Sequence, residues 1–317
     1  MDLDALSALT ANTRTMAKQL LAPHEEAPMA TMALLRVAET AMKTKGDHSD
    51  DAVLYSERLH HALTDADDAT AKTHAPAALL PLGILLMRPV AGRRREAAVE
   101  AAALAAETAA RRCGGELCAR VGPEVALRLL GAVGLRLNDP STNREERPEA
   151  LASLATTIFR CAELGEKDKA WAGFWKRLDD PEAPDGRCLV AAVAKAAMTL
   201  AERRDGSRST RRAALALVRA SVAATPLKRR GGLWRCFLPG LFGPLYKIVS
   251  GPVAPRDGDR LKADALAAAV ALITAACGGD ERAAPKRVFD VSSARRQCRF
   301  KETFRQKPLV ISRHSRR

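Results

Sequence analysis

The chain has 317 residues, 47% of them hydrophobic but only 4% aromatic, and a formal net charge of +14. Alanine and leucine recur in blocks such as 97–110 and 263–276, and up to residue 280 no stretch shows the alternation of a strand, so the composition excludes a β-rich fold and specifies packed helices. The charge suggests an anionic partner, yet 281–317 hold twelve Lys/Arg against three Asp/Glu, which leaves only +5 for residues 1–280 and assigns most of the excess to a tail.

Helical periodicity begins at Leu3, Leu6 and Leu9 and continues through Met16, Leu20 and Leu21, until Pro23 and Pro28 close that element. Residues 29–43 come next, with an apolar stripe of Met32, Leu35, Val37, Ala38 and Met42. After the polar loop 46–50 a shorter helix is expected over 52–63. The acidic, small-residue stretch 64–73 reads as a linker. Residues 1–74 are therefore expected to be N-terminal helices and a linker, separate from the helical array that begins at residue 75.

From there the pattern becomes a series of antiparallel helix pairs. The first joins 77–87 to 94–112 through a connector broken by Pro89 and Gly92, and the second joins 123–137 to 148–161 through the turn-rich stretch 138–143. Pro123 and Pro148 stand where helices begin, a position that suits a fixed φ and a missing amide hydrogen. A short helix around Trp171 and a loop at 179–186 precede the third pair, 188–203 with 209–224. The fourth, 234–249 with 261–276, is divided by the Pro/Gly-rich connector 251–258. Second helices start near 94, 148, 209 and 261, a period of about 51 to 61 residues, somewhat longer than HEAT and armadillo units of about 40 to 47. The expected fold is an all-α, HEAT/armadillo-like solenoid over 75–280, with a globular helical bundle as the alternative, and 281–317 form a basic tail too poor in apolar residues for a core, expected to be disordered.

No chemistry announces itself. Seven scattered cysteines form no C-x-x-C pair and read as reduced, mostly buried thiols, while His60 and His61 point about 100° apart on a helix and make a poor chelate. There is no G-x-S-x-G elbow and no P-loop, and Gly240 to Gly243 lacks both the preceding strand and the third glycine of a dinucleotide fingerprint. No catalytic, cofactor or metal site is expected. The start, MDLDALSALT, lacks the basic and apolar regions of a secretory signal, and the longest apolar run, 75–87, is too short to span a membrane and contains Pro76, Pro81 and Gly83. A soluble intracellular protein is expected.

Three features are candidates for binding. Arg93 to Arg95 and Lys228 to Arg230 could contact phosphates or be solvated charge, whereas Arg111 and Arg112 fall in a last helical turn and oppose its dipole. Trp171, Phe174 and Trp175 share one helix face at i, i+3 and i+4, ringed by Lys167, Lys169, Lys176 and Arg177. That pattern fits either a buried contact or a partner-binding anchor. The tail, with Arg295, Arg296 and 312–317, could serve nuclear import or nucleic-acid binding.

The most informative stretch is a structural motif at 233–251, LWRCFLPGLFGPLYKIVSG. With Trp234, Phe237, Leu238, Pro239, Gly240 and the later Gly251, it resembles the F-L-P-G segment and following T/S-G turn in the N-terminal HEAT region of the Tel-two-interacting protein one family. The flanking order is similar too: Leu79 to Leu82 opening a helix, Ala213 to Leu215 before the motif, and Lys262 to Leu266 after it. The likeness covers roughly 75–280, and family members carry further repeats that this chain lacks. Read from its residues, the motif is a packed helix start with Phe237 and Leu238 buried and Pro239 setting a bend. The resemblance implies a non-catalytic subunit of the TTT (Triple T) co-chaperone complex. Its partners would be the other TTT subunits, PI3K-related kinases and, indirectly, chaperone machinery, in the cytoplasm and also the nucleus. The alternatives are another intracellular helical-repeat adaptor for transport or assembly, and a helical nucleic-acid binder using the tail.

Overall fold

Blocks of alanine bounded by proline, glycine and short polar caps produce helix after helix. In the computed structural model, which describes residues 26–43, 46–138, 148–178, 186–203, 206–251 and 258–277, there are twelve. They are α1 (Glu26–Lys43), α2 (Ser49–Asp65), α3 (Asp68–Met87), α4 (Arg95–Cys113), α5 (Leu117–Val121), α6 (Pro123–Asn138) and α7 (Pro148–Leu164). Next come α8 (Lys169–Leu178), α9 (Gly186–Glu202), α10 (Arg208–Ala224), α11 (Leu227–Ser250) and α12 (Gly258–Ala276). A 3-10 turn, Gly114–Glu116, links α4 to α5, and no strand occurs among the described residues.

The helices form two layers. One stacks α1, α3, α6, α9 and α11 in order, the other α2, α4, α7, α10 and α12, and each helix also packs on its partner in the opposite layer. The result is an all-α helical-repeat solenoid, with five pairs among the described residues. Its repeat is visible in the bonds: His60 meets Thr108, Arg136 reaches Leu86, Thr157 meets Glu107, Cys161 reaches Ala110 and Arg212 meets Asp264, spacings of 48 to 52 positions. Contacts that recur one repeat apart are the mark of a one-dimensional stack, in which each unit touches only its neighbours. Alanine has a specific use here. α4 lies between α2, α3 and α7, and Ala102, Ala103, Ala105, Ala106, Ala109 and Ala110 are all fully buried, so three neighbours approach a helix without large side chains.

The structure corrects the N-terminal boundary. α1 and α2 pack as a repeat of the same array, the first among the described residues, and the stretch read as a linker is largely the start of α3. Asp67 caps that helix by accepting from the amides of Ala69 and Thr70 at 2.9 and 3.0 Å. α3 then runs through Pro76 and Pro81. Pro76 has no amide hydrogen for the Lys72 carbonyl, and Arg120 of the next repeat donates to that oxygen instead at 2.9 Å. Tertiary contact replaces the missing helical bond, so the dividing line drawn at residue 74 falls inside a helix.

Arginines do the same at helix ends, where the last carbonyls lack partners. Arg112 donates to Leu63, Thr64 and Ala66 carbonyls and to Asp68, closing the C-terminus of α2. Arg136 closes α3 through Leu86 and Met87, and Arg211 closes α9 through Ala201. These arginines are therefore structural. Arg112 acts on the preceding repeat rather than only on its own helix dipole.

A second tie holds neighbouring loops. Asp47 accepts from the amide and hydroxyl of Ser49 at 3.0 and 2.6 Å and from the Arg93 amide at 3.1 Å, while the Ser49 hydroxyl accepts from Arg94. Gly92 sits at φ 150°, and a Cβ there would collide with Asp47. The bonds from Ser49, with those from Arg93, hold the Asp47 carboxyl down at about 2. Because the folded value lies below the ordinary 3.8, the tie stabilises above that pH and is lost as pH falls toward 2. Asp47→Asn is expected to melt lower than the parent at neutral pH, with the gap closing on acidification; a gap constant from neutral pH to pH 2 would contradict this ionisation.

Candidate functional site

Of the three binding candidates, the aromatic trio is placed inside. Trp171 and Phe174 are fully buried and Trp175 is 6% exposed, so the partner-anchor reading is overturned. α8 presses these rings against α5, α6 and α9, with Trp171 and Phe174 edge-on at 5.0 Å and Phe174 and Trp175 at 5.2 Å. The Trp171 indole donates to the Gly115 carbonyl at 2.8 Å, and Cys118 points its thiol at the Ala170 carbonyl. The exposed Lys167, Lys169, Lys176 and Arg177 form only a solvated rim, within which Arg177 pairs with Glu124.

Near this cluster lies an open cleft of about 870 Å3 where the ends of α2, α4 and α7 converge. Its charged lining includes Asp68, Lys72, Arg111, Arg112, Lys167 and Asp168, of which Asp68 and Arg112 pair with each other. Its cysteine, Cys113, is buried, and burial pushes the thiol up to about 12, as it does for Cys118 and Cys161. A thiol held protonated is a poor nucleophile and a poor ligand. No group of three or more His, Cys, Asp and Glu among the described residues is arranged to hold a metal ion. No described helix is long and apolar enough to cross a membrane.

The F-L-P-G motif occupies the middle of α11, which corrects the expectation of a helix start. Trp234 is fully buried, Leu238, Leu241 and Leu245 follow it on the buried stripe, and Phe237 is half-buried. The Trp234 indole donates to the Thr225 hydroxyl at 3.1 Å, which in turn donates to the Ser221 carbonyl at 2.8 Å. Arg230 donates to the Thr225 and Ala223 carbonyls, so this member of the 228–230 cluster is a cap for α10. Gly251 ends the helix, and a Cβ there would come within 2.7 Å of the Lys247 carbonyl.

Pro239 and Gly240, by contrast, are exposed. The surface of α11 opposite Trp234 and Leu241 includes Gly232, Pro239 and Gly243, with Gly240 beside them. A Cβ added at Gly232, Gly240 or Gly243 would meet nothing. Lys228, Arg235 and Tyr246, the last 65% exposed, run along one side of this face. Pro239 and Pro244 cannot donate to the carbonyls of Arg235 and Gly240.

One signal was available in the sequence and was missed. Between residues 206 and 251 there are nine Lys/Arg and no Asp/Glu, whereas 47–68 carry seven Asp/Glu and one Lys/Arg. The modest sum over 1–280 conceals an acidic start and a basic end to the array. Arg93 to Arg95 lie at the 47–49 tie, with Arg94 3.5 Å from Asp50. The helix expected from Leu3 to Leu21, the tail, and the side chains of Arg229 and Cys236 lie outside the described residues.

No family model matches the chain, and no curated protein matches it.

Proposed function

We propose that the chain is a non-catalytic, protein-binding scaffold. The observation that carries this reading is the two-layer solenoid itself, which spreads a long surface over the five repeats of the described residues, while the cleft at the ends of α2, α4 and α7 holds a protonated thiol and an arginine committed to capping. Such arrays concentrate binding energy in a few surface features and need no reacting group. Within this class the F-L-P-G resemblance points to a TTT-type co-chaperone subunit. Its partners would be the other TTT subunits and PI3K-related kinases, whose maturation and stability it would support in the cytoplasm and nucleus. Affinity purification of the full chain from its native cell tests both levels. Recovery of TTT subunits or a PI3K-related kinase is expected; other partners reproducibly recovered would reject the co-chaperone assignment and keep the scaffold, and recovery of none would reject both.

A further inference from the structure

We infer that the outward face of α11 is a docking surface for an acidic polypeptide segment of a partner protein, whose backbone crosses Gly232 and Gly243 while its carboxylates meet Lys228 and Arg235. The inference deepens the scaffold reading by naming where and what it binds.

Glycine in a helix interior is unfavourable, and packing among the described residues does not require it at 232, 240 or 243, where the space is open. At these three positions no Cβ stands between the helix and another backbone, so a partner chain can come close there. Charge then selects the visitor. Of the cations between 206 and 251, Arg211 and Arg230 cap helices, Arg212 pairs with Asp264 and Lys247 with Glu202. Lys228 and Arg235 are exposed on α11, with no ion pair to another described residue. No acidic side chain within 206–251 competes for them.

Hydrogen-bond polarity separates the macromolecular classes. The carbonyls of Arg235 and Gly240 lack their usual helical donors, so a complementary partner brings N–H groups as well as negative charge. A polypeptide supplies both. A phosphate backbone or lipid phosphate presents acceptors toward these carbonyls, and one exposed tyrosine is a sparse platform for stacking bases. A second copy using this same face would bring Lys228 and Arg235 against like charges.

The test uses the full chain and fluorescence anisotropy with labelled polyglutamate, beside labelled oligouridylate and phosphatidylserine-containing vesicles. Parent protein is expected to bind polyglutamate, and Lys228→Glu/Arg235→Glu to weaken it at least tenfold. Gly232→Leu/Gly243→Leu is expected to weaken it similarly while far-UV circular dichroism keeps or gains helical signal, which separates blocked docking from unfolding. Polyglutamate binding unchanged in both variants would overturn the inference, as would binding of oligouridylate or vesicles that is stronger than that of polyglutamate and sensitive to the same substitutions. In the purification, a Gly232→Leu/Gly243→Leu chain that recovers every partner of the parent would remove this surface and leave the scaffold standing.

Discussion

Trp171→Ala is expected to lower stability by about 3 to 5 kcal/mol, the range for truncating a large buried aromatic side chain. The indole is fully buried, and it joins α8 to the turn after α4 through the Gly115 carbonyl. Gly165 packs so tightly against the ring and the same carbonyl that an added Cβ would stand 2.6 Å from the oxygen. The surroundings cannot simply close over the lost ring. Trp171→Phe retains most of the volume but strands the carbonyl, and should cost less, about 1 to 3 kcal/mol. In denaturant titration of the full chain the midpoint should fall in the order parent, Phe, Ala. Since the array is one-dimensional, hydrogen exchange should accelerate first in α8 and its neighbours and last in α1 and α2. A Trp171→Ala cost below about 1 kcal/mol would contradict a core role for the trio.

The pairs from α3 onward were legible because each contains Ala/Leu blocks stopped by Pro, Gly or turn residues at roughly regular intervals. What sequence could not supply was compensation across repeats. Pro76 reads as a breaker only until Arg120 supplies the missing donor, and those residues are 44 positions apart. Pro239 misleads for a different reason. It lies on the open side of α11, where its ring disturbs no packed neighbour, and the helix continues around it. The aromatic trio was ambiguous in principle, since i, i+3, i+4 spacing with a lysine rim describes a buried amphipathic face and an exposed anchor equally well. Only the packing of α5, α6 and α9 decides between them. The outward track of α11 was obscured by summing charge over 280 residues, which lets the acids of α2 cancel the cations of α10 and α11.

Trp234→Ala is expected to be at least as costly as Trp171→Ala, about 4 to 5 kcal/mol, because it removes the main anchor of a helix that cannot sustain itself. α11 contains four glycines and two prolines in 24 residues. Relative to alanine at those positions, the intrinsic helical penalty sums to about 10 kcal/mol, so tertiary packing has to hold the helix together. Trp234 also fixes its orientation, since the indole, the Thr225 hydroxyl and the Ser221 carbonyl form a fully buried chain linking α11 to α10. Loss of the ring should therefore melt α11 as a unit: helical ellipticity falls in native buffer, and exchange protection disappears from Trp234 through Ile248 while α3 and α4 keep theirs. Substitution on the opposite side should act in the other direction. Gly243→Ala meets open space and exchanges a poor helix former for the best, gaining up to about 1 kcal/mol. Opposite signs from two residues nine positions apart would separate the face that holds α11 in the array from the face it presents outward. Equal destabilisation by both would mean that the glycine track is packed, and would remove the physical basis for a docking surface there.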